Sequence, residues 1–211
     1  MEYLTIAMAK GRLAKKTLNL FDEAGIPLKK SEDDSRKLIF TNEELKVKYF
    51  LSKASDVPTY VDYGVADIGV VGKDTLLEEK RNLYEILDLG FGKCHMVVAG
   101  MQGIDQKENQ RIKVATKYPV IATDYYLHQK NQPVEIIKLH GSVELAPIIG
   151  LSDVIVDIVE TGTTLKENGL EIYETICSLS ARLVANRVSY KMKSNQISYL
   201  IEHLKKAILL K

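Results

Sequence analysis

Residues Asp153 to Leu170, DVIVDIVETGTTLKENGL, constrain the fold of this chain more tightly than any other stretch. Val154, Ile155, Val156, Ile158 and Val159 form a short apolar run that reads as a buried strand. The run breaks at Glu160-Thr161-Gly162-Thr163-Thr164 and is followed by the helix-compatible LKENGL. A strand that ends in a small, hydroxyl-rich turn before a helix offers outward-pointing backbone N–H groups to an anion. The hydroxyls of Thr161, Thr163 and Thr164 add donors suited to phosphate oxygens. Asp157 and Glu160 would repel a bare phosphate, so they suit ribose hydroxyls or Mg²⁺ instead. Donors and acids together point to a sugar phosphate. The alternative is an ordinary α/β turn in which Thr only caps a helix.

Upstream residues extend the pattern to LHGSVELAPIIGLSDVIVDIVETGTTL, which contains Glu144, Gly150, Ser152, Asp157 and Thr161-Gly162-Thr163-Thr164-Leu165. This run resembles the signature of the ATP phosphoribosyltransferase family, whose members start histidine biosynthesis. The resemblance covers nearly the whole chain. AMAKGRL (Ala7 to Leu13) resembles the family's first strand, turn and helix, and DSRKLIF (Asp34 to Phe40) its next strand. KASDVPTYVDYGVADIGVVGKD (Lys53 to Asp74) is similar to the long signature of its first domain.

Composition excludes several other classes. A length of 211 residues fits one large or two small domains with a proper core. A net charge of +1 argues against nucleic acid or an anionic membrane as the principal partner. Cys94 and Cys177 are too few for a disulfide framework and read as free thiols of a reducing compartment. The start, MEYLTIAMAKGRL, has no basic segment ahead of a long apolar run, so no export signal is expected. No apolar stretch approaches the roughly 18 residues that span a bilayer. A cytoplasmic protein is expected.

Short apolar runs alternate with helical patterns, which predicts an α/β fold with largely parallel sheets. The first strand is Leu4 to Met8, and the following helix stops at Gly25 and Pro27. Lys37 to Phe40 and Val47 to Leu51 read as strands, Pro58 as a helix start, and Ile68 to Val71 as a buried strand. Asp88-Leu89-Gly90-Phe91-Gly92 marks a domain border. His95 to Ala99, Lys113 to Ala115, Val134 to Leu139 and Val154 to Val159 supply a second sheet. From Glu171 the chain returns as a β-branched strand. Lys191 to Leu210 follows as one terminal helix striped by Ile197, Leu200, Ile201, Leu204 and Ile208.

The resemblance implies the two-lobed fold of type II periplasmic binding proteins, with the active site in the interdomain cleft and hinge closure on ligand. It implies a split domain I (residues 1–90 plus 177–211, the terminal helix packing back) and a domain II (91–176) that carries the phosphoribosyl pyrophosphate loop. No further regulatory domain is expected after residue 211, which makes the chain similar to short-form catalytic subunits. Those work as dimers with a separate regulatory subunit resembling a histidyl-tRNA synthetase. The implied substrates are ATP and 5-phosphoribosyl-1-pyrophosphate, and the implied cofactor is Mg²⁺, carried mainly by substrate phosphates with Asp157 as a possible ligand.

Lys10 and Arg12 flank Gly11 after the first strand, where acids rather than cations are usual, so an anionic ligand is favoured over a solvated helix start. Arg36 and Lys53 read as surface charges by themselves; through the family they match positions that face pyrophosphate and the ATP phosphates. Many relatives carry Arg where this chain has Lys53, so bidentate geometry is altered there. Catalytic roles are therefore expected of Arg36, Lys53 and Lys10, in stabilising the leaving pyrophosphate. Asp67 to Asp74, DIGVVGKD, is no Walker A motif, because position 67 is Asp and Asp74 stands where Ser or Thr belongs. Asp67, Gly69 and Gly72 are expected to let a nucleotide approach the backbone. Glu144 follows Ser142-Val143 and serves either as part of a helix start or as a ribose contact, with the second preferred. His95, His128, His140 and His203 are dispersed and make a histidine metal site improbable. Two rival classes share the expected fold: an exported solute-binding protein and a non-catalytic nucleotide-binding regulator.

Overall fold

The computed structural model describes residues 2–28, 37–103 and 111–210. By its internal contacts the chain divides into unit 1, Met1–Gly92 with Ser180–Lys211, and unit 2, Lys93–Leu179.

Unit 1 begins with β1 (Leu4–Ala9), whose alternation sends Leu4, Ile6 and Met8 to one face and Ala7 and Ala9 to the other. Helix α1 (Arg12–Glu23) covers the first face with Leu18, Leu20 and Phe21 and ends where Gly25 turns the chain. β2 (Ile39–Asn42) and β3 (Val47–Ser52) form an antiparallel hairpin. Its turn is held by Asn42 Oδ1, which accepts the N–H groups of Glu44 and Leu45 at 3.0 Å each. Next come α2 (Val57–Asp62), started by Pro58, then β4 (Ile68–Gly72), α3 (Lys73–Glu79) and β5 (Tyr84–Asp88).

Unit 2 contains β6 (Cys94–Met101), β7 (Ile112–Thr116), α4 (Pro119–Thr123), β8 (Val134–Lys138), α5 (Leu145–Ile148), β9 (Val154–Val159), α6 (Thr163–Glu167) and β10 (Leu170–Leu179). A π-helical turn, Asp124–Gln129, extends α4. The chain then re-enters unit 1 as β11 (Ala181–Ala185), followed by α7 (Arg187–Met192) and α8 (Ser194–Leu209).

The sheets are mixed, not largely parallel. Unit 1 has the order β2-β3-β1-β4-β11-β5 and unit 2 the order β10-β6-β9-β7-β8. β1 runs parallel to β3 and β4, but β11 inserts antiparallel between β4 and β5, and β6 lies antiparallel to both β9 and β10. The physical reason is the double crossing between units: the long β-branched stretch enters as two strands of different sheets, broken at Ser180. The terminal helix is also broken. α7 starts early because Asn186 Oδ1 caps it, accepting from Val188 N at 2.9 Å and Ser189 N at 3.0 Å. Lys193 interrupts it, and its Nζ reaches inward to Tyr3 O at 2.8 Å and Asp67 Oδ2 at 2.7 Å. Beyond the break, Ile197, Leu200, Ile201, Leu204 and Ala207 pack onto the same sheet face as α1. Truncating fully buried Leu204 to Ala would cost on the order of 2–5 kcal/mol.

Candidate functional site

In unit 2 the strand alternation decides which residues can meet a ligand. Ile155 points into the core under α5 and α6, with Val143, Ala146 and Leu165. Two residues on, Asp157 faces the same side but lies beyond that apolar packing. A pocket of about 250 Å³ opens there, lined by Glu144, Asp157, Glu160, Thr161, Gly162, Thr163 and Thr164 together with Ile158, Val159 and Leu165.

The loop gets its shape from Gly162, whose φ of 76° and ψ of 0° place it in the left-handed region at the N-cap of α6. The first bond closing α6 is Lys166 N–H to Gly162 O at 3.1 Å. The amides of Thr163, Thr164 and Leu165 therefore precede any helical acceptor. Thr161 and Thr163 hydroxyls lie 3.0 Å apart and are exposed, as is Thr164. With only five residues, α6 contributes little macrodipole. What the loop can offer an anion is therefore local N–H and O–H donors.

Glu144 stands at the N-cap of α5, but its side chain makes no capping hydrogen bond. It lines the pocket instead, together with Asp157. Burial, aided by the negative charge of Glu144, pushes the Asp157 carboxyl up to about 6 against the opposing pull of the Ile158 N–H and of Lys117. A carboxyl so placed gains from any ligand that brings hydroxyl donors or a cation. Lys117 follows β7 directly and escaped sequence reasoning; one lysine in a loop does not stand out among 29 cationic residues.

In unit 1 the carboxyl ends of β1 and β3 lie side by side, Ala9 opposite Ser52, with Lys10 N–H donating to Ser52 O at 2.9 Å. From this edge α1 leaves toward the sheet face carrying Ile6 and Met8, while α2 packs Val57 and Val61 on the opposite face with Ala7 and Ala9. Two crossovers diverge here, which makes the edge a topological switch point, the usual crevice for ligands in open α/β sheets. Lys10, Gly11, Arg12 and Lys53 all sit there, and their surfaces are exposed. Gly11 has φ 83° and ψ −140°, a combination that essentially only glycine adopts. Arg36 falls outside the described residues.

Three residues expected to meet a nucleotide also have partners within unit 1. Asp67 is buried, and its Oδ2 accepts from Thr5 N at 2.8 Å and from Lys193 Nζ at 2.7 Å, so it joins the first strand to the start of the terminal helix. Gly69 admits helix packing: a Cβ there would lie 2.7 Å from Val61 Cγ2 and 3.0 Å from Val57 Cγ1. At Gly72 a Cβ would come within 2.1 Å of Asp74 Oδ1, so this glycine makes room for the carboxylate in the first turn of α3. Glycines that resemble a nucleotide loop serve close packing here. Among the described residues, no group of three or more His, Cys, Asp or Glu could hold a metal ion unaided. No helix among them is long and apolar enough to cross a membrane.

Fold and pocket define a class, an α/β protein of two units with a pocket lined by hydroxyls and carboxylates. Its fold is similar to that of the periplasmic aliphatic sulphonate binding protein SsuA from Escherichia coli, with TM-score 0.63 and 14% identity over 100% of this chain and 70% of that one. The family model HisG: ATP phosphoribosyltransferase matches residues 53–206, and the chain belongs to that family. Curated ATP phosphoribosyltransferases from Lachnoclostridium phytofermentans and Lachnospira eligens are each 61% identical over 99% of this chain and 98% of their own length. A chain of the solved ATP phosphoribosyl transferase (HisG:HisZ) complex from Thermotoga maritima matches with TM-score 0.85 and 38% identity, over 99% of this chain and 100% of that one. The protein is thus a pentosyltransferase of the first step of histidine biosynthesis, in a family that needs a divalent metal.

Proposed function

We propose that the pocket of unit 2 holds 5-phosphoribosyl-1-pyrophosphate, the 5-phosphate against Thr161, Gly162, Thr163 and Thr164 and the ribose hydroxyls against Asp157, Glu160 and Glu144. What carries this reading is the convergence in one pocket of threonine hydroxyls, the first turn of a helix and a carboxyl destabilised by burial. Lys10, Arg12 and Lys53 at the switch point of unit 1, with Arg36, meet the pyrophosphate and the phosphates of ATP. Residues 1–90 with 177–211 act as one domain of the enzyme and 91–176 as the other.

N1 of the adenine attacks C1 of the ribose, and the bond from C1 to the pyrophosphate oxygen breaks with its electron pair leaving on pyrophosphate. N1 carries no proton, so the attack needs no general base. The chain contributes position and charge: cations opposite the leaving group, acceptors on the ribose hydroxyls, donors on the 5-phosphate. A metal carried by phosphates asks the protein for only one or two carboxylates. Asp157 fits, since a cation would return it to its ionised form. The ion in this reading is Mg²⁺, which when bound neutralises charge on the phosphates.

Because the Thermotoga maritima chain is part of a HisG:HisZ complex, this chain is proposed to form dimers that assemble with a separate regulatory subunit in the cytoplasm. The test is pyrophosphate release by the purified chain, which should require both ATP and 5-phosphoribosyl-1-pyrophosphate and ignore histidine. Release with one substrate omitted would reject the transfer, and saturable inhibition by histidine would reject the separate regulator.

A further inference from the structure

The pocket of unit 2 is acidic. Among the described residues that line it are three carboxylates, Glu144, Asp157 and Glu160, and no lysine, arginine or histidine. Hydroxyls can seat one phosphate there, but a ligand that also carries a pyrophosphate brings further negative charge to an acidic wall.

Lys117 stands where that charge can be met. Ala115 packs with Ile155 on the face covered by α5 and α6, so the alternation of β7, continued past its end, turns residue 117 to the face that carries Asp157. β7 and β9 are parallel with Thr116 opposite Val156, which sets Lys117 beside Asp157 at the carboxyl ends of the two strands. The backbone there is held in place: Thr116 Oγ1 donates to Val156 O at 2.6 Å and accepts from Tyr118 N at 2.8 Å. The Lys117 side chain is exposed, with Nζ 5.9 Å from the centre of the Tyr118 ring, at the outer limit of a cation–π contact. Its charge reaches the Asp157 carboxyl and opposes the upward push of burial.

The sheet order gives a ligand of this pocket a direction. β9 lies between β6 and β7. The threonine loop leans to the β6 and β10 flank, where Leu165 packs with Val97 and Leu170 and a Cβ on Gly162 would lie 4.0 Å from Ile172 Cδ1. Asp157 is on the central strand, and Lys117 is on the opposite flank. Neighbouring strands are about 4.8 Å apart, so roughly 10 Å separates the two flanks, with a carboxylate between them. A ribose with a phosphate on C5 and a pyrophosphate on C1 has the matching order: anion, hydroxyls, anion.

We propose that Lys117 binds the pyrophosphate of 5-phosphoribosyl-1-pyrophosphate, at the phosphate joined to C1. The inference rests on the proposed seating of that substrate in the pocket of unit 2, and it fixes which way round the substrate lies, with C5 toward β6 and C1 toward β7. As the bond from C1 to the pyrophosphate oxygen breaks, its electron pair stays on the pyrophosphate, and a cation at that end attracts it more strongly.

The test is calorimetric titration of the full chain with Mg²⁺ and either 5-phosphoribosyl-1-pyrophosphate or ribose 5-phosphate, which lacks the pyrophosphate. Lys117→Ala should weaken binding of the first on the order of tenfold and leave the second within about twofold, with Lys117→Arg recovering most of the loss. Lys113→Ala removes the same charge from the other end of β7, beyond a screening length of about 8 Å, and should change neither affinity. Equal losses for both ligands in Lys117→Ala would mean that the lysine acts only through Asp157, and no loss for either would make it a surface charge. Equal weakening by Lys113→Ala would reduce the effect to general attraction. Each of these three results overturns the proposal. A wild-type chain that binds neither compound would instead remove the underlying reading of the pocket, so the two failures are distinguishable.

Discussion

The two units offer an anion opposite kinds of partner. Unit 1 presents cations at the diverging ends of two parallel strands, where Lys10 and Lys53 stand on exposed turns and Arg12 opens α1. Unit 2 presents neutral donors and acids around a pocket, with Asp157 half-buried and Glu144 beside it. Long, exposed cations act through charge and suit a group whose charge changes during the reaction. Short hydroxyls and fixed amides act through geometry and suit a group that must only be held. The difference underlies the proposal that the leaving pyrophosphate meets unit 1 and the retained phosphoribosyl group unit 2.

The strongest way to break this assignment is to remove the cations. Lys10→Ala with Lys53→Ala should lower kcat on the order of 10²–10³-fold, while 5-phosphoribosyl-1-pyrophosphate still binds unit 2. A folded double variant that changes only KM would move both lysines to ground-state binding. Next in size, Thr161→Val with Thr164→Val should weaken 5-phosphoribosyl-1-pyrophosphate binding by about 1–3 kcal/mol in calorimetry. Unchanged affinity would return the loop to simple helix capping.

Gly69→Ala should cost about 1–3 kcal/mol in denaturant unfolding, because α2 must move away from β4. If it spares stability and instead blocks ATP binding, the packing role assigned to this glycine is wrong. Asp157→Asn sharpens the contrast through pH. The Asp157 carboxyl is raised from 3.8 to about 6, so its contribution to folding is full below about 4 and is lost as pH rises through about 6. At pH 8 the ionised group destabilises the fold, and the Asn variant should be more stable by about 1 kcal/mol. That gain should shrink as pH falls below 6, while activity is poor throughout. Lys53→Arg is expected to change kcat least, within about 1 kcal/mol, by substituting a bidentate cation for a point charge.

Much of this fold was legible because its strands are short apolar runs with glycine or proline at their ends. The run Val154 to Val159 and the turn after it emerge from local chemistry alone. Strand direction did not, because β11 takes its place between β4 and β5 through partners distant in sequence. The bond of Asp67 was hidden for a similar reason: in DIGVVGKD an acid beside glycines resembles a ligand loop, and its partner Lys193 is 126 residues away. Lys117 was missed because its meaning comes only from the strand beside it. The helix break at Lys193 was equally invisible, since the apolar stripe of Ile197 to Ile208 continues smoothly upstream into a helical pattern.

The return of the chain into unit 1 sets an order on biosynthesis. Every strand of the unit 2 sheet lies between Cys94 and Leu179, so this sheet can assemble as soon as Leu179 leaves the ribosome. The first sheet must wait, although five of its six strands were made earlier, because β11 fills the gap between β4 and β5 and α8 closes the core above β1. Until then β4 and β5 expose unpaired edges to other nascent chains. The part translated first is therefore the part completed last, and slow translation of residues 180–209 would lengthen the period in which a chaperone is needed.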